Sequence, residues 1–210
     1  MNDDVVAKIY DQLYYDEQNE YGLKEDVMFD AHSDCSREAA AYHQLQRSPV
    51  APEVTPAFYG TWTLPVDTLI HDGDQVHKHT RQVPLVLMEY VRAETMRNID
   101  PHILSEQTRS CLLRRVLDAE IVIYTVGVKN NYICPRNIMI IGLRTIPTDD
   151  VPDSMTIKMI DLNATTVRHP RYYGAKIARE VDQEFQAWFS KLSSPILRWY
   201  GQMVEFAWNE

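Results

Sequence analysis

The stretch GVKNNYICPRNIMI, residues 127–140, links a long helix to a short strand. Over residues 104–126, Leu113, Val116, Leu117, Ile121 and Tyr124 recur at helical spacing, which predicts a helix with one apolar face. Gly127 suits the position just past its end, where a left-handed conformation favours glycine. After Pro135-Arg136-Asn137 the run NIMII reads as a strand, and MTIKMID (155–161) as a second, joined by the polar segment LRTIPTDDVPDS. Taken singly, the polar residues here have plain structural uses. An Asn such as Asn137 often bonds its own backbone in a loop. Asp161 can cap a turn, and Cys134, with no histidine beside it in sequence, reads as a small buried hydrophobe.

Working outward, VVAKIYD (5–11 with its flanks) reads as a strand, and the acidic, aromatic DQLYYDEQNEYGLKED as a loop. SDCSREAAAYHQLQRS offers Ser33 or Asp34 as N-cap of a helix over about 34–47 that stops before Pro49. Pro52 and Pro56 mark a loop, AFYGTWTL a strand, HDGDQVHKHTRQ a hairpin tip and VPLVLMEYV a buried strand. His71, His77 and His79 match no zinc spacing, so a solvated tip is the simpler account. Near the C-terminus, Ile177, Val181, Phe185, Trp188, Phe189 and Leu192 form an apolar helical stripe before Pro195 and the aromatic ILRWYGQMVEFAW. The stripe reads as core, with a partner or a second copy as its alternative neighbour. This order of strands and helices predicts a two-part α+β protein.

Composition narrows the function classes. A chain of 210 residues with 45% hydrophobic and 24% charged residues can bury a sizeable core. A net charge of −9 argues against binding the phosphate backbone of nucleic acid, which calls for a basic surface. The three cysteines (Cys35, Cys111, Cys134) are far apart and in no metal spacing, which predicts a reduced, cytoplasmic protein. No apolar run has the length of a membrane span, so neither secretion nor membrane insertion is expected.

The ordered elements resemble the protein-kinase fold, and more closely the kinase-like phosphotransferases of fungi that are similar to aminoglycoside kinases. Four stretches carry the resemblance, from about residue 4 to 165. VVAK, ending at Lys8, resembles the strand whose Lys holds nucleotide phosphates. REAAAY places Glu38 where that family keeps the ion-pair partner of the Lys. PLVLMEYV resembles the strand entering the hinge, with Met88 as gatekeeper and the backbone of Glu89 and Val91 facing an adenine. PRNIMI and MIDLN resemble the end of the catalytic loop and the metal-binding Asp strand, giving Asn137 and Asp161 as metal ligands if nucleotide is bound. Tyr132 to Asn137 keeps the five-residue interval of that loop. The resemblance implies a truncated kinase-like fold. A reduced small lobe over 1–91 would hold a few antiparallel strands and one helix, and a mainly helical larger lobe would span 92–210.

Two departures bear on activity. Asn130 stands where the family has His, and Tyr132 where it has the catalytic Asp; a phenol with a pKa of about 10 is neutral near pH 7 and cannot serve as a ready base. Seven residues precede Lys8 and no two glycines lie within two positions of each other, so no glycine-rich phosphate-covering loop is expected. Asn163 also replaces a Gly two positions after Asp161, which is expected to alter the turn there. The first expectation is therefore a pseudokinase-like binding or scaffolding protein, with no resident cofactor and a protein or small molecule in the cleft. The second is an enzyme that reuses the cleft for a non-phosphoryl reaction, with Tyr132 as proton donor. The third is a weak residual phosphotransferase using Mg-ATP through Lys8, Glu38, Asn137 and Asp161. A homodimer that covers a bare sheet edge is expected alongside the first.

Overall fold

The computed structural model describes residues 4–18, 22–142 and 155–167. The fold is α+β. Three antiparallel strands, β1 (Val5–Ile9), β2 (Phe58–Asp72) and β3 (Gln75–Glu89), form one sheet in the order β1-β3-β2. β1 lies along the last third of β3, with Val5 opposite Glu89 and Ile9 opposite Leu85. β2 and β3 make a long hairpin closed at Gly73-Asp74, with Asp72 opposite Gln75. Gly73 takes φ 59°, the left-handed value that a two-residue hairpin turn requires at its first position.

The tip is much smaller than the HDGDQVHKHTRQ segment expected, because most of that segment pairs as strand. Its residues are solvated on both faces, so it lacks the alternation that marks a half-buried strand. Cross-strand polar contacts accompany the pairing: Lys78 meets Asp67 at 2.8 Å and Thr80 donates to Asp67 at 2.8 Å. At the base of this ribbon Arg81 grips Asp11 with both guanidinium nitrogens, at 2.6 and 3.0 Å. That contact fixes the ribbon to the segment leaving β1.

Helix α1 (Val27–Leu45) packs on β3 and β2. It starts well before the expected Ser33 or Asp34, because Asp26 is the cap: its side chain accepts from the Phe29 N–H at 3.1 Å. Asp34 instead sits inside the helix and pairs with Arg37 one turn on at 2.5 Å. Ala31, Cys35, Glu38, Tyr42 and Leu45 are its buried stripe, at the i, i+4, i+7 spacing of a helix face. A single helical turn, α2 (Ala51–Val54), occupies the Pro52 region read as loop.

Helix α3 (Glu106–Thr125) is the long helix expected before Gly127, capped by Ser105. It buries Leu112, Leu113, Val116, Leu117 and Ile123, whereas Ile121 is exposed. The apolar face is therefore rotated away from Ile121. Gly127 has φ 96° and closes the helix with its N–H on the Tyr124 carbonyl at 2.9 Å. Gly127→Ala is expected to destabilise by about 1–2 kcal/mol, the cost of forcing a Cβ into the left-handed region; urea denaturation measures it.

A second sheet has the order β4-β6-β7, from β4 (Glu94–Thr95), β6 (Ile138–Ile141) and β7 (Thr156–Met159). A small ladder joins β5 (Val128–Asn130) to β8 (Thr165–Val167). The core runs between these parts, through Tyr42, Met96, Leu112, Ile138, Met159 and Leu162. On the other side of the first sheet Val5, Ile9, Trp62 and Leu64 are exposed. Among the described residues no helix is long and apolar enough to cross a membrane. The apolar stripe of 177–192, the aromatic segment after it and the 143–154 loop, and with them a large part of the expected helical lobe, lie outside the described residues.

Candidate functional site

The site starts from a geometric fact about β1. Lys8 faces α1, and its ammonium meets Glu38 on that helix at 2.7 Å and Asp161 beyond β7 through a second ion pair. Lys8 thus ties its own strand to two segments 30 and 153 residues away. Glu38 is fully buried. Besides Lys8 it accepts from the Tyr10 hydroxyl and from the Leu162 backbone N–H, the latter at 3.2 Å. A buried carboxylate is tolerable only when its oxygens are satisfied in this way.

The pairing also sets the charge states. Burial disfavours the Lys8 ammonium, but Glu38 and then Asp161 outweigh it and hold its pKa above the ordinary value. Burial and then the Glu38 charge push the Tyr10 phenol up, so it stays protonated and donates to Glu38. Burial and Glu38 likewise raise the Cys35 thiol, which makes it a poor nucleophile.

Asp161 has φ 59°, the one non-glycine residue with positive φ among those described. Aspartate tolerates this region better than most residues. The flanking bonds hold it there: Ile160 N–H donates to the Asn137 carbonyl at 2.9 Å, and Leu162 N–H to Glu38. Strain of this sort persists where its surroundings over-determine it, and it concentrates at functional sites. The chain then turns at Asn163 and Ala164, closed by the Thr165 N–H on the Leu162 carbonyl at 3.2 Å.

These residues border one open cleft of about 570 Å³. Lys8, Glu38, Asn137 and Asp161 form its polar end. The hinge-like run Met88, Glu89, Tyr90 and Val91 lines another part. Apolar walls come from Val6 and Ala7 of β1 and from Met139 and Ile160 of the other sheet. Those apolar contributors were not singled out in the sequence, although each sits within two residues of one that was. Asn137 is 5% exposed, and its amide nitrogen is buried without a hydrogen-bond partner. Such a group costs about 1–3 kcal/mol unless something accepts from it.

Glu89 is braced from outside the cleft. Its carboxylate takes Lys158 at 2.5 Å and the Ala57 N–H at 2.9 Å. Burial works to raise its pKa, but the Lys158 and Ala57 bonds prevail and hold it below the usual carboxylate range. A depressed folded pKa stabilises above the unfolded value of about 4.3, and that stability is lost as pH falls through the folded pKa. Glu89→Gln is therefore expected to flatten the acid limb of a Tm-versus-pH curve below about pH 4.

Tyr132 is placed differently. It is not among the residues lining the cleft; it is 39% exposed. The Arg136 guanidinium lies 4.9 Å from its ring centroid and also donates to its hydroxyl. Asn130 is buried and accepts the Tyr132 N–H at 3.0 Å, a local Asx turn. Cys134 is fully buried, in keeping with a packing role.

The residues present do not fit a resident magnesium ion. Asn137 and Asp161 are the two residues that would have to serve, Asp161 is engaged by Lys8, and a hard cation wants several oxygen ligands. Among the described residues no group of three His, Cys, Asp or Glu could hold a metal.

No family model matches the sequence, and no curated protein matches it. Among solved structures, WbdD superposes with a TM-score of 0.45 at 14% identity, over 81% of this chain and 30% of that one. This chain therefore spans less than a third of the length of that neighbour.

Proposed function

We propose that this chain is a pseudokinase-like binding or scaffolding protein, whose cleft receives a small molecule or a partner's side chain without phosphoryl transfer. The observation that carries this reading is the Lys8 bridge between Glu38 and Asp161 at the head of an open cleft. The bridge supports a kinase-like arrangement of strand, helix and Asp segment. It also occupies the groups that a metal–nucleotide complex would need. The residue at the base position is a phenol that accepts from Arg136 and is not among the residues lining the cleft. A protein partner or a second copy of this chain also suits the reading, given the exposed Val5, Ile9, Trp62 and Leu64 on the far face of the sheet.

The test is phosphate release from Mg-ATP by the wild-type protein and by Tyr132→Asp, which restores a carboxylate at that position. The expected result is no release above the uncatalysed rate from either protein. Release by the wild type that disappears in Asp161→Asn would overturn the reading in favour of a residual phosphotransferase. Asn is the suitable replacement because it tolerates the left-handed backbone of that position.

A further inference from the structure

Resting on the reading of this chain as a binding protein, we infer that its partner at the free edge of β1 is a second copy of itself. The second copy adds its own β1 there, antiparallel, about a two-fold axis at Ala7. The direction of the backbone groups locates that edge. Tyr10 N–H donates to the Pro84 carbonyl and Tyr90 N–H to the Asp4 carbonyl. The even-numbered residues of β1 therefore aim their backbone groups at β3, and Val5, Ala7 and Ile9 aim theirs away from it. Among the described residues no strand pairs with that side. A row of such N–H and C=O groups is a template for another strand.

The opposite edge of the same sheet is blunted. Glu89 N–H donates to the Ala57 carbonyl, so the odd-numbered residues of β3 face β2 and the even-numbered ones do not. Thr63 pairs with Pro84 and Pro65 with Gln82, which turns the backbone of Thr63 and Pro65 outward. The ring nitrogen of Pro65, with no proton to donate, thus falls on the free side of β2. The register of β2 also shifts between Phe58 and Gly60. A proline and a bulge are both devices that stop a sheet edge from pairing. β1 carries neither. Its one charged residue, Lys8, is engaged by Glu38 and Asp161, and Val5, Ala7 and Ile9 are exposed.

The sequence of β1 selects the occupant. VVAKI complements itself when turned about Ala7. An antiparallel pair centred there sets Val5 opposite Ile9 of the second copy and Ala7 opposite Ala7, each pair exchanging two N–H···O bonds. β-Branched side chains then meet β-branched side chains on the outer face, the kind of cross-strand pair that stabilises a sheet. Leu85 lies between Ile9 and Trp62, so the joined apolar face runs on to the exposed Trp62. On the other face Lys8 stands opposite Val6 of the second copy, a neutral neighbour that leaves its two ion pairs intact. Val6, Ala7 and Lys8 line the cleft. The second copy therefore borders the cleft and extends its wall.

Sedimentation equilibrium of the full chain, from low to high micromolar concentration, is expected to show a monomer–dimer equilibrium. Ala7→Cys is expected to form an intermolecular disulfide under oxidised glutathione, in a Cys111→Ser background because Cys111 is only half-buried. The Cα atoms of a hydrogen-bonded antiparallel pair lie about 5.5 Å apart, within the disulfide range. Val5→Cys is expected not to link, because its two copies lie about 13 Å apart along the strands. Val5→Glu with Ile9→Glu, and separately Val5→Lys with Ile9→Lys, should each weaken self-association about tenfold by setting like charges opposite each other. Mixing the two variants should restore association as a heterodimer, which a misfolded variant could not do. A chain that stays monomeric throughout overturns the inference and leaves the reading of the cleft standing. So does a dimer that ignores the charge pairs, or one that links through Val5→Cys as readily as through Ala7→Cys. Phosphate release from Mg-ATP, in contrast, overturns that reading and leaves the dimer.

Discussion

Glu38→Ala is expected to destabilise the folded protein by about 3–5 kcal/mol, the cost of removing one partner from a buried charge network. The carboxylate is fully buried and accepts from Lys8, the Tyr10 hydroxyl and the Leu162 N–H. Its loss leaves the Tyr10 hydroxyl and the Leu162 N–H without their acceptor, leaves Lys8 with Asp161 alone, and lets go of the strained segment around Asp161. Small domains have only about 5–15 kcal/mol in total, so a substantial unfolded fraction is expected. Glu38→Gln should lose less, because it keeps an acceptor oxygen for Leu162 or Tyr10 while losing the ion pair. Urea denaturation of both variants is the measurement. Equal and small losses, under about 1 kcal/mol for each, would mean the network is an exposed ion pair of ordinary weight.

The second large effect is expected at Tyr42→Ala, at about 3–5 kcal/mol. Tyr42 is 1% exposed and stacks on Phe58 with ring centroids 5.3 Å apart. Its hydroxyl reaches the Met88 sulfur at 3.7 Å. Truncation would open a cavity between α1 and the sheet, directly behind the Met88 wall of the cleft. Tyr42→Phe keeps the stack and loses only a weak sulfur contact, so it should stay within about 0.5 kcal/mol of wild type. A loss in Tyr42→Phe as large as in Tyr42→Ala would assign the stability to the hydroxyl and contradict the packing account.

Local rules carried much of the fold into the sequence. The helix before Gly127 was legible because a long apolar repeat ends in a glycine that takes a left-handed φ. The early start of α1 was not, because Ser33 and Asp34 look like caps. Asp34 instead pairs with Arg37 one turn on within the helix, and the cap is Asp26. The length of the β2–β3 ribbon was hidden for a different reason: solvated on both faces, it has no periodicity to read. At the site, Lys8, Glu38, Met88, Asn137 and Asp161 were each named from the sequence and meet at one cleft. That Lys8 bridges both carboxylates was not readable, since it depends on a contact across 153 residues. Tyr132 shows the converse limit. Its spacing from Asn137 was readable, but its contact with Arg136 four residues on and its absence from the lining of the cleft were not.

The central claim is that the cleft between β1 and the β6–β7 sheet is where this protein meets its ligand. Methionine-methyl NMR tests it most directly, because Met88 and Met139 line the cleft whereas Met28 is exposed elsewhere and Met96 lies in the core. Titration with a mixed library of small aromatic cations and neutral amides, with resonances assigned by Met→Leu substitution, is expected to shift the Met88 and Met139 methyls together and to leave Met28 and Met96 in place. Shifts at Met28 or Met96 with Met88 and Met139 unmoved would contradict the account and put the binding surface elsewhere on the molecule.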